Sequence, residues 1–221
     1  YSVMFRISSA SGLKPIADAG IKPLEGDEWV KVWGIKLMVD GGFEGGHMTA
    51  PYLEPMGKGG TYFGLEVVPQ SAFDDTVVQL NRMGFRAGVH AVGDAAVDEV
   101  LRGYEKANKD EDLTKAGWAI EHAFVTRPDQ YPLMRALNLV LIFHAGWDPS
   151  YPDELMAPPA SLLAVARNFP GLRVVAAHMG GMKHAQDVLD QVAGCKEEIY
   201  FDTAYSAEGA IDPQLCAAIV N

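Results

Sequence analysis

Four of the six histidines share one position in the sequence: each closes a short apolar run. His90 ends Arg86-Ala87-Gly88-Val89-His90, and His122 ends Trp118-Ala119-Ile120-Glu121-His122. His144 ends Leu141-Ile142-Phe143-His144, and His178 ends Val174-Val175-Ala176-Ala177-His178. Lys36 lies inside Gly34-Ile35-Lys36-Leu37-Met38-Val39-Asp40, and Asp202 inside Ile199-Tyr200-Phe201-Asp202-Thr203. From Lys36 onward the intervals are 54, 32, 22, 34 and 24 residues, all but the first close to one strand–helix repeat. Histidine is the commonest metal ligand, and several converging imidazoles with a carboxylate suit a hydrolytic metal site. A bound zinc ion would bring the pKa of its water to roughly 7 and give a nucleophile at neutral pH. A single strand-end histidine is more simply a hydrogen-bonded structural residue, and Lys36 alone could form a buried ion pair with Asp40 or Glu121. Four histidines at equivalent strand ends favour the metal reading. His47 and His184 read as surface residues, Asp94 as a helix cap, and Gly180-Gly181 as a strand-to-helix turn that would also suit a small anion.

The elements that must position these residues repeat regularly. Seven runs, residues 1–7, 33–39, 85–91, 118–123, 139–145, 172–178 and 199–204, are nearly continuously apolar and rich in Val, Ile or Phe, as parallel strands buried on both faces are. Amphipathic helical stretches over 74–83, 95–107, 128–137, 161–169 and 185–192 separate them, with a last one over 213–220. Alternation at this spacing predicts an α/β fold of βα units around a parallel sheet. In a barrel of such units the carboxyl-terminal strand ends share one functional rim. Residues 14–28 and the glycine-rich residues 41–61 read as loops, the longer one functional or mobile, with Tyr52, Met56 and Tyr62 as its pocket residues.

Composition narrows the function classes. The 221 residues suit one domain, and 48% hydrophobic with 21% charged residues describes a packed globular chain. Acidic residues outnumber basic ones 29 to 18, for a net charge of −11, which argues against a nucleic-acid or anionic-membrane surface. No apolar run nears the roughly 20 residues that span a bilayer, and no leader pattern opens the chain, so a cytoplasmic protein is expected. Cys195 and Cys216 match no disulfide framework or zinc spacing. The glycine pairs at 41–42 and 45–46 do not form a phosphate-binding fingerprint, which leaves a nucleotide-binding doubly wound domain poorly supported. The chain opens at Tyr1 without an initiator Met, as a fragment or processed product would.

At these motifs the sequence resembles the amidohydrolase superfamily of metal-dependent hydrolases. Residues 1–140 resemble the amidohydrolase-3 branch, through Gly34-Ile35-Lys36-Leu37-Met38-Val39-Asp40-Gly41, Val89-His90-Ala91-Val92-Gly93-Asp94 and Ile120-Glu121-His122-Ala123. Residues 141–221 resemble the amidohydrolase-2 branch, through Phe143-His144-Ala145-Gly146, the run from Phe169 to Gly181, and Ile199-Tyr200-Phe201-Asp202-Thr203. The resemblance implies a TIM-type (βα) barrel, here incomplete or rearranged with about seven βα units, in a single barrel-like domain over 1–221. It implies a carboxylated Lys36 and His90 and His122 as metal ligands, His144 and His178 as ligands of the same or a second ion, and Asp202 as a weak stand-in for the catalytic carboxylate. The implied cofactor is one or two divalent ions, zinc ahead of manganese or iron. The implied reaction is hydrolysis of an amide or related C–N bond in a small-molecule substrate.

The chain departs from that pattern in three ways. The strand-five and strand-six histidines occur twice, which suggests two overlapping barrel pieces joined near Leu141, a chimera. No His-x-His pair occurs, and the aspartate of the last barrel strand has no counterpart before Asn221. A catalytically inactive scaffold keeping relic ligands is therefore the alternative expectation. Seven strands leave apolar edges at 1–7 and 199–204, which could recruit residues 62–68 as an eighth strand or pair between chains, so a homo-oligomer or swapped dimer is expected.

Overall fold

Continuous Val/Ile/Leu runs become parallel strands, and each helix that follows lays its apolar stripe back on them. The computed structural model describes residues 2–147, 155–180 and 185–202. The chain divides into two units, residues 1–139 and 140–221. In the first, strands β1 (Ser2–Arg6), β2 (Lys31–Met38), β3 (Ala87–Ala91) and β4 (Ala119–His122) lie side by side in chain order, all parallel. In the second, β5 (Val140–Phe143), β8 (Arg173–Ala176) and β9 (Ile199–Phe201) are parallel in that order, and β6 (Gly146–Trp147) pairs antiparallel with β7 (Leu155–Ala157). The fold class is α/β, and the strand–helix repeat is that of an incomplete TIM-type barrel with seven parallel strands among the described residues.

Helices α2 (Gln70–Arg82) and α3 (Asp94–Asp110) cover the first sheet. Val97, Val100, Leu101, Tyr104 and Ala107 follow one helical stripe on α3, each at most 4% exposed, and α3 packs on α2, where the Phe73 ring centre lies 6.4 Å from that of Tyr104 and Val77 and Leu80 are buried. Each such aliphatic side chain contributes on the order of 1.5–3 kcal/mol by leaving water. Gly103 lets the two helices approach, because a Cβ there would stand 2.5 Å from the Phe73 ring. Trp118 packs edge-on against Tyr104 at 4.8 Å, and the Tyr104 hydroxyl donates to the Ala119 carbonyl at 2.9 Å. In the second unit α5 (Pro159–Asn168) and α6 (Ala185–Gln191) supply Leu163 and Val188 to a core with Met179, Val192 and Phe201.

Several details depart from the sequence reading. Residues 13–18 form a short helix, α1 (Leu13–Asp18), with Leu13 and Ile16 buried one turn apart; two apolar residues are too few to show a helical period. Residues 62–68 make no strand: the Leu65 amide donates to the Gly45 carbonyl and the Val67 amide to the Val39 carbonyl. The β6–β7 hairpin was not anticipated. Residues 213–220, Cys216, His184 and Gly181 lie outside the described residues. No described helix is long and apolar enough to cross a membrane.

Candidate metal centre

Strand register brings the first set of chemical groups to one face. Met38 of β2, His90 of β3 and Glu121 of β4 are register partners, and Lys36 sits two residues before Met38 on the same face. Lys36 Nζ donates to Glu121 Oε2 in a close ion pair, with the side chains 21% and 13% exposed. That pair crosses over Gly88, where a Cβ would come within 2.5 Å of Glu121 Oε1. The same Oε1 is buried without a hydrogen-bond partner. Lys36 therefore takes the ion pair that the sequence offered as the simpler reading.

His122 follows Glu121 directly, so simple alternation would send the two side chains to opposite faces. A left-handed backbone at His122 (φ 75°) and Ala123 (φ 44°) breaks that alternation at the strand end. The result is an imidazole pair: His90 and His122 have ring centroids 4.4 Å apart at 65°. His90 Nε2 lies 2.8 Å from the Gly41 carbonyl. A carbonyl only accepts, so this contact assigns the proton to Nε2 and leaves the Nδ1 lone pair for a ligand role.

Asp40, fully buried, holds the surroundings of His90 together. Its Oδ1 accepts from the Val92 amide at 3.0 Å; its Oδ2 accepts from Gly93 at 2.8 Å and from His47 at 3.0 Å. Burial pushes the Asp40 carboxyl above its ordinary range, and the amide hydrogen bonds work against that push. His47 is not a free surface residue: its carbonyl accepts from the Ala95 and Ala96 amides and so caps α3. Asp94 opens α3 without capping it. It accepts from the Thr49 amide and hydroxyl and from Arg127, and although burial raises its pKa, these bonds outweigh burial and leave it lowered.

The long segment after β2 is an ordered loop. The Tyr52 hydroxyl lies 2.7 Å from the Phe43 carbonyl, and the Tyr62 hydroxyl donates to the Glu44 carbonyl at 2.7 Å. These tyrosines staple the loop. Phe43 packs on Phe124 at 4.2 Å, and the Phe124 ring lies within 7° of parallel to His122 at 6.1 Å. Sequence reading missed both phenylalanines, since nothing but their nearness to Gly41 and His122 marks them.

The second unit holds the second set. Phe143, Ala176 and Phe201 are register partners, so the next residues, His144, Ala177 and Asp202, stand level at the strand ends. His178 follows with φ 59° and Met179 with φ 53°, the same left-handed step as at His122 and Ala123. His144 and His178 have ring centroids 4.7 Å apart at 71°, with His178 Nε2 3.1 Å from His144 Nδ1. Asp202 Oδ1 accepts from the His178 amide at 2.8 Å, and its main-chain carbonyl accepts from Met179 at 2.8 Å.

The five sequence-predicted ligands thus gather as Lys36 with Glu121, His90 with His122, and His144 with His178. Among the described residues no group of three or more His, Cys, Asp or Glu side chains gathers as one ion's shell. The chemistry of the donors nevertheless fits a divalent ion: paired imidazoles, with a buried and unpartnered Glu121 oxygen on the same face as His90.

Residues 2–170 match the family described as the amidohydrolase family. The match runs across Leu141, where the sequence suggested a join, and stops short of His178 and Asp202. Protein LONG AFTER FAR-RED 3 of Arabidopsis thaliana is 31% identical over 116 residues, covering 51% of this chain and 19% of that protein. Two solved structures, uncharacterized metal-dependent hydrolases from Pyrococcus furiosus and Pyrococcus horikoshii OT3, align with TM-scores of 0.54 and 0.56 at 19% and 20% identity. Each alignment covers 97% of this chain but 43% and 38% of the archaeal chains, so the chain spans less than half their length. At that identity the likeness is one of fold.

Proposed function

The chain belongs to the amidohydrolase family, and from that premise we propose that it is a metal-dependent hydrolase cleaving an amide or related C–N bond of a small-molecule substrate in the cytoplasm. The observation that carries this is the imidazole pair His90/His122, built by a left-handed turn that puts consecutive residues of β4 on one face. His90 and His122 would hold one divalent ion, zinc ahead of manganese or iron, with a carboxylated Lys36 beside them; His144 and His178 would serve a second ion. When bound, such an ion supplies an activated water and polarises the scissile carbonyl. The chain's own part is to fix the donors. Gly41 sets the proton of His90 and Asp40 ties the strand-end segments around it; in the second unit Asp202, which accepts from the His178 amide, would be the proton acceptor for an ion held by His144 and His178. The exposed apolar residues Val3 and Met4 of outer strand β1 support association of two copies, which light scattering tests.

Metal content by plasma mass spectrometry, on protein purified without chelators or a His tag, tests the reading. One or two equivalents of metal, lost from the double variant His90→Ala/His122→Ala, is the expected result; unchanged content in that variant overturns the assignment. A second reading, a scaffold of recombined pieces with relic ligands, is favoured by the Lys36–Glu121 pair, which occupies the lysine nitrogen with a carboxylate. It predicts a cooperative melt with no metal bound.

A further inference from the structure

One short segment of the long loop reaches the imidazole pair of the first unit directly at His90 and, through Phe124, at His122. Gly41 offers its carbonyl to His90 Nε2 at 2.8 Å. Two residues on, Phe43 packs against Phe124, whose ring lies parallel to that of His122. The contacts close a circuit: Gly41 to His90, His90 to His122, His122 to Phe124, Phe124 back to Phe43. The segment is itself fixed. Its Gly41 amide donates to the Gly45 carbonyl at 3.0 Å, the Phe43 carbonyl lies 2.7 Å from the Tyr52 hydroxyl, and Asp40 immediately before it grips three amides.

We propose that Phe43 and Phe124 are positioning residues: with Gly41 they form a clamp through which the long loop sets the spacing and tilt of the His90 and His122 imidazoles. The physical ground is that His122 leaves its strand through a left-handed step, so strand geometry no longer dictates where its ring points. A flat ring parallel to the imidazole restricts its rotation, and the tilted Phe43 ring, centred 4.2 Å away, fixes Phe124 in turn. Hydrogen-bonded partners that orient a ligand commonly alter metal affinity 10–100-fold without touching the ion, and a packed ring that only restricts rotation belongs at the lower end of that range. Its bearing on metal affinity rests on the metal-site reading above; the clamp itself does not.

The test compares Phe124→Leu, which keeps apolar bulk but removes the flat ring, with Phe124→Tyr, which keeps the ring. Two quantities are read: the nuclear Overhauser contact between the His90 and His122 ring protons in metal-free protein, and Co2+ affinity from its visible absorption. Phe124→Leu is expected to lose the ring–ring contact and to weaken Co2+ binding about tenfold, with both restored in Phe124→Tyr. Should Phe124→Leu fail to fold, Phe43→Leu, one step further from the imidazoles, reads the same quantities. Leu variants with an unchanged ring contact, or a Tyr variant that behaves like Leu, overturn the clamp and leave ordinary packing. If the unaltered protein takes up no Co2+, the metal reading falls, and the ring contact alone decides the clamp.

Discussion

The two units solve one geometrical problem in the same way and then diverge. Each ends a buried parallel strand with a histidine, ends the next with a left-handed histidine, and brings the two rings edge to face, at 4.4 Å in one and 4.7 Å in the other. In the first unit the protein supports the pair from outside: Asp40 gathers amides from two segments, and a loop carbonyl orients His90. In the second unit the rings approach each other directly, His178 Nε2 to His144 Nδ1 at 3.1 Å. One proton sits between two nitrogens there, and an ion entering that pair must displace it. The first pair keeps the Nδ1 lone pair of His90 available; in the second, one of the two facing nitrogens spends its lone pair on the ring–ring hydrogen bond. The same backbone device therefore yields rings oriented from outside in one unit and rings bonded to each other in the other.

The largest effect tests that contrast directly. His90→Ala/His122→Ala should reduce metal affinity by far more than the tenfold of an orienting partner, whereas His144→Ala/His178→Ala should remove at most a second, weaker equivalent. Titration of the chelated protein with Zn2+, followed by calorimetry, measures both. Equal losses from the two variants would collapse the distinction between the units.

What the sequence showed and hid follows from the range over which each feature is determined. The strands were legible because burial on both faces demands unbroken apolar runs, and Val174 to Ala176 or Val140 to Phe143 are such runs. The strand-end histidines were legible because a polar residue closing an apolar run stands out. The left-handed steps were not, since neither His122-Ala123 nor His178-Met179 is a Gly or Asn signal for that conformation. Asp40 read only as a candidate partner of Lys36, because the amides it accepts from lie 52 and 53 residues away at Val92 and Gly93. The order of the long loop was hidden for a similar reason. Glycine-rich composition suggests freedom, but the hydroxyls of Tyr52 and Tyr62 meet carbonyls within the loop itself.

A second difference between the units lies in their helices. Helix α5 buries Pro159, Leu162, Leu163 and Ala166, all apolar, while α3 buries the carboxyl of Glu99 at 2% exposure. Burial, reinforced by the negative Glu66, pushes Glu99 up to about 7. The folded state thus prefers the protonated form: the group is harmless below its unfolded value near 4.5, and its destabilisation grows as pH rises to about 7, then levels off. Glu99→Gln should stabilise the first unit by about 3 kcal/mol at pH 8 and by little at pH 4.5. Thermal melts at the two pH values measure this, and an equal gain at both would mean that the fold does not raise the Glu99 carboxyl above its unfolded value.

The ion pair of the first unit gives a smaller handle. Gly88→Ala would place a Cβ 2.5 Å from Glu121 Oε1 and 3.0 Å from Met4 Sδ, so the Lys36–Glu121 pair has to shift. A loss of about 1–3 kcal/mol in urea unfolding is expected, as for other overpacked sites. Adding Glu121→Asp, which shortens the arm, should return part of that loss. If Gly88→Ala is neutral, the pair is loosely held, and the first site is no more rigidly supported than the second.

The smallest effect concerns the turn that the two units share. Ala123 holds φ 44° and is 1% exposed; Met179, its counterpart, holds φ 53° and is 3% exposed within the cluster of Leu163, Val188 and Val192. Left-handed backbone costs a non-glycine residue roughly 1–2 kcal/mol. Ala123→Gly relieves that strain but gives back about 0.4–1 kcal/mol to the unfolded chain and about 0.8 kcal/mol of lost methyl burial. The three terms nearly cancel, so the expected change in urea unfolding is under about 1 kcal/mol. At Met179 the same exchange would also remove a whole core side chain, at about 2–5 kcal/mol, which hides the strain term. Ala123 is therefore the position at which the turn can be examined alone. A loss there well above 1 kcal/mol would show that the methyl group supports the imidazole pair by packing, and that the first unit's turn, like the second's, depends on what is buried beneath it.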